Sequence, residues 1–190
     1  YGSGQDNNLC DEESPLNPIS KYASDKVAVE QKLMARKNSI SFRLATVFGM
    51  SPKMRIDLLV NDFVYRAIKD GFIVLYESHF KRNYIHVRDV SSVFVHAIDN
   101  FENMRGQIFN VGLSDANISK LELCKRIKLQ IKNFIIMEAP MAADPDQRNY
   151  VVSNKKIEST GWKPKISLDD GIFELKKGYT MLTNSKYGNV

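Results

Sequence analysis

Segments with helical spacing and segments with strand spacing alternate along this chain, and that alternation restricts its fold more than any single motif. Pro18 and the cap residue Ser20 open a helix that runs to about Lys37. In "SISFRLATVFG", Ile40, Phe42 and Leu44 face one way and Ser41 and Arg43 the other, the period of a strand ending at Gly49. "RIDLLVNDFVYRAIKDG" returns to helical spacing, with Leu59, Phe63 and Ile68 on one face and Gly71 as the stop. "FIVLY" and "NYIHV" read as short strands. Asp89 stands where an N-cap is needed, before a stripe of Val90, Val93, Phe94, Ala97, Ile98 and Phe101. "GQIFNVG" is a strand closed by Gly112, Ser119 caps a helix to about Lys132, and "FIIMEAP" is a strand ending before Pro140. Short helices follow over 154–160 and 168–182. Residues 1–18 and "DPDQRNY" are polar and read as loops. Interleaving of this kind is the α/β pattern.

Composition narrows the function classes. The chain is 43% hydrophobic and 26% charged, a composition that supports a packed core rather than disorder. Its net charge of +5 is spread along the sequence, which suits small anions such as phosphates and argues against a nucleic-acid surface. Cys10 and Cys124 lie far apart and form no CxxC, so the expected compartment is a reducing cytoplasm. No apolar run approaches the ~20 residues of a membrane span. His79, His86 and His96 lack metal-ligand spacing, and His86 within "YIHV" reads as structural. Trp162 in "GWKP" reads as a packing residue. The sequence opens at Tyr1 without an initiator Met, which leads us to expect a fragment.

Tyr22 and Lys26 are the first residues that could carry chemistry. At i and i+4 on a helix they share one face. Such a pair also arises by chance, as a half-buried Tyr beside a solvated Lys. A free tyrosine hydroxyl ionises near ~10, and a neighbouring ammonium favours the phenolate. A tyrosine so activated can take a proton from a sugar hydroxyl while hydride leaves the same carbon, which requires a nicotinamide cofactor.

"NPISKYASDKVAVE" resembles the active-site helix of the extended short-chain dehydrogenases, the NAD-dependent epimerase/dehydratase group acting on nucleotide sugars. That group reads P-x-S-x-Y-x-x-x-K-x-x-x-E, matched by Pro18, Ser20, Tyr22, Lys26 and Glu30. "YG" at Tyr1 and Gly2 resembles the end of S-S-x-x-V-Y-G, and "RLATVFG" (Arg43 to Gly49) resembles R-x-x-N-V-Y-G. "RNYIHVRDVSSVFVHAI" resembles R-D-F-I-H-V-D-D-V-A-x-A, "FNVG" (Phe109 to Gly112) matches directly, and "TGWKPKISLDDGI" resembles L-G-W-x-P-x-x-x-L-x-x-G-I. These matches keep the group's order over nearly the whole chain.

The resemblance implies the C-terminal part of a doubly wound Rossmann-type parallel sheet plus a smaller α/β substrate-binding lobe. A single domain over 1–190 follows, lacking its N-terminal dinucleotide-binding half. Residues 1–49 and 83–112 fall mostly to the Rossmann remainder, 50–82 and 113–182 mostly to the substrate lobe, and 183–190 to a tail. The resemblance also implies NAD (NADP as the variant), Tyr22 as catalytic base and Lys26 as its partner on the nicotinamide ribose. It implies Arg82 on the diphosphate of a nucleoside-diphosphate sugar and Arg148, in "DQRNY", as a second phosphate candidate. Thr46 and Phe48 stand where the group carries Asn and Tyr, so Thr46 is the candidate substrate contact there. A homodimer is implied, with the Tyr22 helix presenting Val27, Leu33 and Met34 to a partner. The group's G-x-x-G-x-x-G loop and its catalytic Ser/Thr have no counterpart in the sequence. Residues 1–190 alone are therefore expected to bind NAD negligibly and to expose apolar surface beside the Tyr22 helix and the Ile40–Thr46 strand. The alternative is a non-catalytic NAD(H)-binding or scaffold protein on the same fold, or an inert fragment; keeping both Tyr22 and Lys26 argues against the scaffold.

Overall fold

The computed structural model describes residues 1–2, 9–139 and 149–181. In chain order the elements begin β1 (Leu9–Cys10), α1 (Lys21–Met34), β2 (Ser41–Leu44), β3 (Thr46–Phe48), α2 (Leu59–Lys69) and β4 (Phe72–Leu75). They continue β5 (Lys81–Arg82), β6 (Tyr84–His86), α3 (Val87–Asp99), α4 (Phe101–Met104), β7 (Ile108–Val111) and β8 (Ile118–Ser119). The last are α5 (Lys120–Gln130), β9 (Ile135–Glu138), β10 (Val151–Val152), α6 (Lys155–Ser159) and α7 (Leu168–Met181). The expected alternation is present, and four of the five ladders among the described residues are parallel, each joining strands distant in sequence. The fifth, β5 with β8, is antiparallel. Parallel pairing requires long crossovers, which here carry helices.

Several boundaries differ from expectation. α1 stops at Met34 rather than Lys37, because Lys37 takes a left-handed φ of 59° that no helix continues through. The 39–49 strand is two strands, since Ser41–Leu44 pairs with β7 whereas Thr46–Phe48 pairs with β6. Ala45 is where the chain changes partner. Leu44 consequently does not share the burial of Phe42 and is exposed. Residues 9–10, expected as loop, form a short parallel ladder with β10. Asp89 does not cap α3; His86 does, its ring accepting from the Arg88 N–H at 3.2 Å. Ser20 and Ser119 cap as expected, Ser119 in a reciprocal capping box with Glu122. Gly71 ends α2 with φ 77°.

Two apolar clusters form among the described residues. One gathers Ile85, Val93, Ala97, Met104, Phe109, Val111, Ile157 and Trp162 around the β2–β7 ladder. The other surrounds α2, α5 and α7 and includes Phe48, Val64, Tyr84, Leu123 and Ile172. Each fully buried aliphatic side chain contributes about 1.5–3 kcal/mol. The Trp162 indole donates to Ser92 Oγ at 2.9 Å, in keeping with its reading as a packing residue.

α1 and α3 take opposite faces of β2. Ser41 and Arg43 reach Glu30 on α1, whereas Phe42 meets Phe94 of α3 edge-on at 5.2 Å. Only part of the predicted α3 stripe is buried: Val93 and Ala97 are, while Phe94, Ile98 (74% exposed) and Phe101 are not. With Tyr22, Val29, Leu33 and Leu44 also exposed, apolar surface does stand open around α1 and β2. No helix among the described residues is long and apolar enough to cross a membrane.

Candidate active site

α1 begins where Ser20 Oγ accepts the Ala23 N–H at 3.2 Å, which sets Tyr22 and Lys26 in the first two turns. Lys26 Nζ lies 5.4 Å from the centroid of the Tyr22 ring. Tyr22 is 71% exposed and Lys26 is exposed beside it. The expected pair is therefore assembled, on an open helix face. Val27 and Met34, expected on an outward face, are half-buried; Val29 joins Leu33 on the exposed side.

Arg55 is a neighbour that sequence reasoning missed. It forks onto Asp57 at 2.9 and 2.7 Å. Those contacts raise its pKa, and the nearby Tyr22 phenol adds to them. It belongs to a loop about thirty residues from Tyr22 in sequence, and no local pattern signals that approach.

Arg82 is 3% exposed in β5, its Cα opposite Ile118, so it is no solvated strand-end charge. Tyr84, two residues on, is buried; burial raises its pKa and the Arg82 charge opposes the rise. Thr46 is half-buried, pairs in register with Tyr84, and donates its N–H to Asn83 O at 3.0 Å. Thr46 and Arg82 thus both adjoin Asn83, Thr46 through a backbone bond and Arg82 along the chain, and no hydrogen bond among the described residues links either to Tyr22. Arg148 lies outside the described residues.

His86 is fully buried and structural. Its Nδ1 accepts the Arg88 N–H, which leaves the proton on Nε2, 3.2 Å from Glu174 Oε1. Glu174 Oε1 also accepts the Met50 N–H at 3.0 Å, and Glu174 Oε2 binds Arg88. A side chain at Gly49, φ 113°, would meet His86 Nε2 at 2.3 Å, so only glycine fits there. No group of three or more His, Cys, Asp or Glu among the described residues could hold a metal. Cys10 and Cys124 are both buried.

The network behind α1 is the most densely bonded part of the site. Arg43 Nη2 and Nε donate to Glu30 Oε1 and Oε2 at 2.7 and 3.0 Å. Burial works against the Arg43 charge, and the bonds to Glu30 and Tyr1 outweigh it, so its pKa is raised. Arg43 Nη1 also donates to Tyr1 Oη at 3.0 Å.

Proteins of known activity are similar to this chain. It is 30% identical to the CDP-paratose 2-epimerase of Salmonella typhi, over 87% of this chain and 53% of that one. It is 25% identical to the dTDP-D-glucose 4,6-dehydratase of Mus musculus, over 94% of this chain and 52% of that one. The chain thus spans about half the length of the curated relatives it matches. The UDP-glucose 4-epimerase of Thermus thermophilus, solved in complex with NAD, superposes with a TM-score of 0.78 at 24% identity, covering 95% of this chain and 60% of that one. That fold likeness agrees with the Rossmann-type α/β reading. The model of the NAD dependent epimerase/dehydratase family matches residues 1–112, more than half of the sequence. The chain belongs to the NAD dependent epimerase/dehydratase family.

Proposed function

We propose that this chain carries the Tyr–Lys half of the active site of a nucleotide-sugar epimerase or dehydratase. The observation that carries the reading is the Tyr22–Lys26 pair, an exposed phenol and an exposed ammonium on one face of α1 with Nζ 5.4 Å from the ring. Those two groups fit the nicotinamide-ribose end of NAD or NADP, where a hydroxyl and a cation are the donors required. The dinucleotide, when bound, supplies the hydride acceptor. Tyr22 takes the proton from a sugar hydroxyl, and Lys26 stabilises the phenolate and holds the ribose. Arg82 pairs with the sugar-nucleotide diphosphate, for which a guanidinium fork is suited. Thr46, bonded to the Asn83 carbonyl next to Arg82, contacts the same ligand, and Arg148 adds a second cation. The relatives named for CDP, dTDP and UDP sugars support a nucleoside-diphosphate sugar as the substrate class. The sheet residues over 1–49 and 83–112 act as the cofactor side, and 50–82 with 113–182 as the substrate side.

Tyr22→Phe in the full-length protein tests the pair. Turnover of dTDP-glucose or UDP-glucose with NAD is expected to fall by ~100-fold or more, the usual scale for losing a general base. Turnover near that of the parent protein refutes the assignment. The full-length protein is expected to pair as a homodimer. Light scattering is expected to read a dimer mass, and a strictly monomeric mass refutes that pairing.

A further inference from the structure

α1 contains no fully buried residue, so apolar packing alone holds it weakly against the sheet. Its half-buried positions include Ala23, Val27, Glu30 and Met34, which recur at helical spacing, and one of them is an acid. The Glu30–Arg43 fork joins α1 to β2, with side chains only 13% and 16% exposed. Ser41 Oγ, also on β2, donates to Glu30 Oε2 at 3.0 Å. Behind the fork, Arg43 Nη1 reaches Tyr1 Oη and the Glu12 carbonyl. The Tyr1 hydroxyl has Asn110 Oδ1 at 2.6 Å on β7, and the Asn110 N–H donates to Glu12 Oε1 at 2.7 Å. One polar cluster therefore ties α1 to both strands of the ladder.

Tyr22, Lys26 and Glu30 are successive members of one i, i+4 row. A bidentate contact at the end of that row resists rotation of the helix about its own axis. We propose that Glu30 is a positioning residue: its fork with Arg43 sets the rotation of α1, and with it the direction in which Tyr22 and Lys26 face. The role rests on the reading of Tyr22 and Lys26 as the reacting pair. A turn of ~10° moves a group ~6 Å from a helix axis by ~1 Å. A misplacement of ~1 Å can cost ~100-fold in rate.

Hydrogen exchange and steady-state kinetics on Glu30→Ala and Glu30→Gln in the full-length protein test the proposal. In Glu30→Ala, amide exchange over 24–34 is expected to quicken by about 10-fold while β2, β7 and α2 keep the parent rates, a confined opening. Turnover of dTDP-glucose or UDP-glucose with NAD is expected to fall by about 10-fold or more, with KM within about twofold. Glu30→Gln keeps an oxygen for Arg43 and is expected to restore most of both, so it also serves if Glu30→Ala does not fold. Unchanged exchange in α1, or acceleration of every element together, overturns the proposal. So does quickened α1 exchange with undiminished kcat in a protein that Tyr22→Phe inactivates. If Tyr22→Phe retains turnover, the catalytic reading fails by itself, and the exchange result still decides whether Glu30 holds α1.

Discussion

Replacing Asp89 with Ala removes the clamp between α3 and the segment that follows Trp162. Asp89 is buried, and its two carboxylate oxygens accept the backbone N–H groups of Lys165 and Ile166, each at 3.0 Å. Hydrogen bonds to a charged acceptor contribute about 1.5–3 kcal/mol each. Two sharing one acceptor group are not additive, so the expected loss is about 3–5 kcal/mol. For a domain of this size that lowers Tm by roughly 6–20 °C, a large part of a total stability of about 5–15 kcal/mol. Asp89→Asn retains one oxygen but turns an amide N–H toward a backbone N–H, so roughly half the loss is expected. Urea unfolding followed by Trp162 fluorescence is the assay, since the chain has one tryptophan and it lies three residues before Lys165. A loss below about 1 kcal/mol in Asp89→Ala, the range of ordinary surface changes, would show that the two bonds are not what holds this segment.

Burial lowers the His86 pKa below imidazole's ordinary 6.5, with the Glu174 carboxylate opposing and the Arg88 charge assisting the shift, and Asp89 opposing it more weakly. The unfolded chain therefore binds that proton more tightly, so stability is full above about pH 6.5 and falls as pH drops toward the folded-state pKa. The urea midpoint measured from about pH 8 to about pH 5 checks this, and His86→Phe should flatten that part of the profile; an unchanged slope in that variant refutes the attribution. In the full-length protein, Arg82→Ala is expected to weaken binding of a nucleoside diphosphate by about 10-fold or more, on the scale of a charge-assisted hydrogen bond, and to leave NAD affinity nearly unchanged. Calorimetry with UDP or dTDP checks it, and equal losses for both ligands place Arg82 elsewhere.

Local signals in the sequence determined the helix and strand types, and with them the α/β class. Ser20 and Ser119 cap their helices through bonds that span three residues, and Gly71 ends α2 through its own φ. The closeness of Tyr22 to Lys26 is equally local, because helix geometry sets it. Tertiary structure decided what depends on distant partners. Ala45 divides a continuous strand pattern because the two halves pair with strands far apart in the chain, Phe109 opposite Phe42 and Ile85 opposite Val47. Asp89 had the right residue type for a cap, but its carboxylate is engaged by backbone more than seventy residues away. Val93 and Phe94 read as one apolar stripe, yet only Val93 meets the core, since side-chain period gives a face and not the extent of what covers it. The Glu30–Arg43 fork lies between these cases. Both residues stand in recognisable motifs, but their pairing requires α1 to lie across β2, a placement produced by packing and not by spacing along the chain.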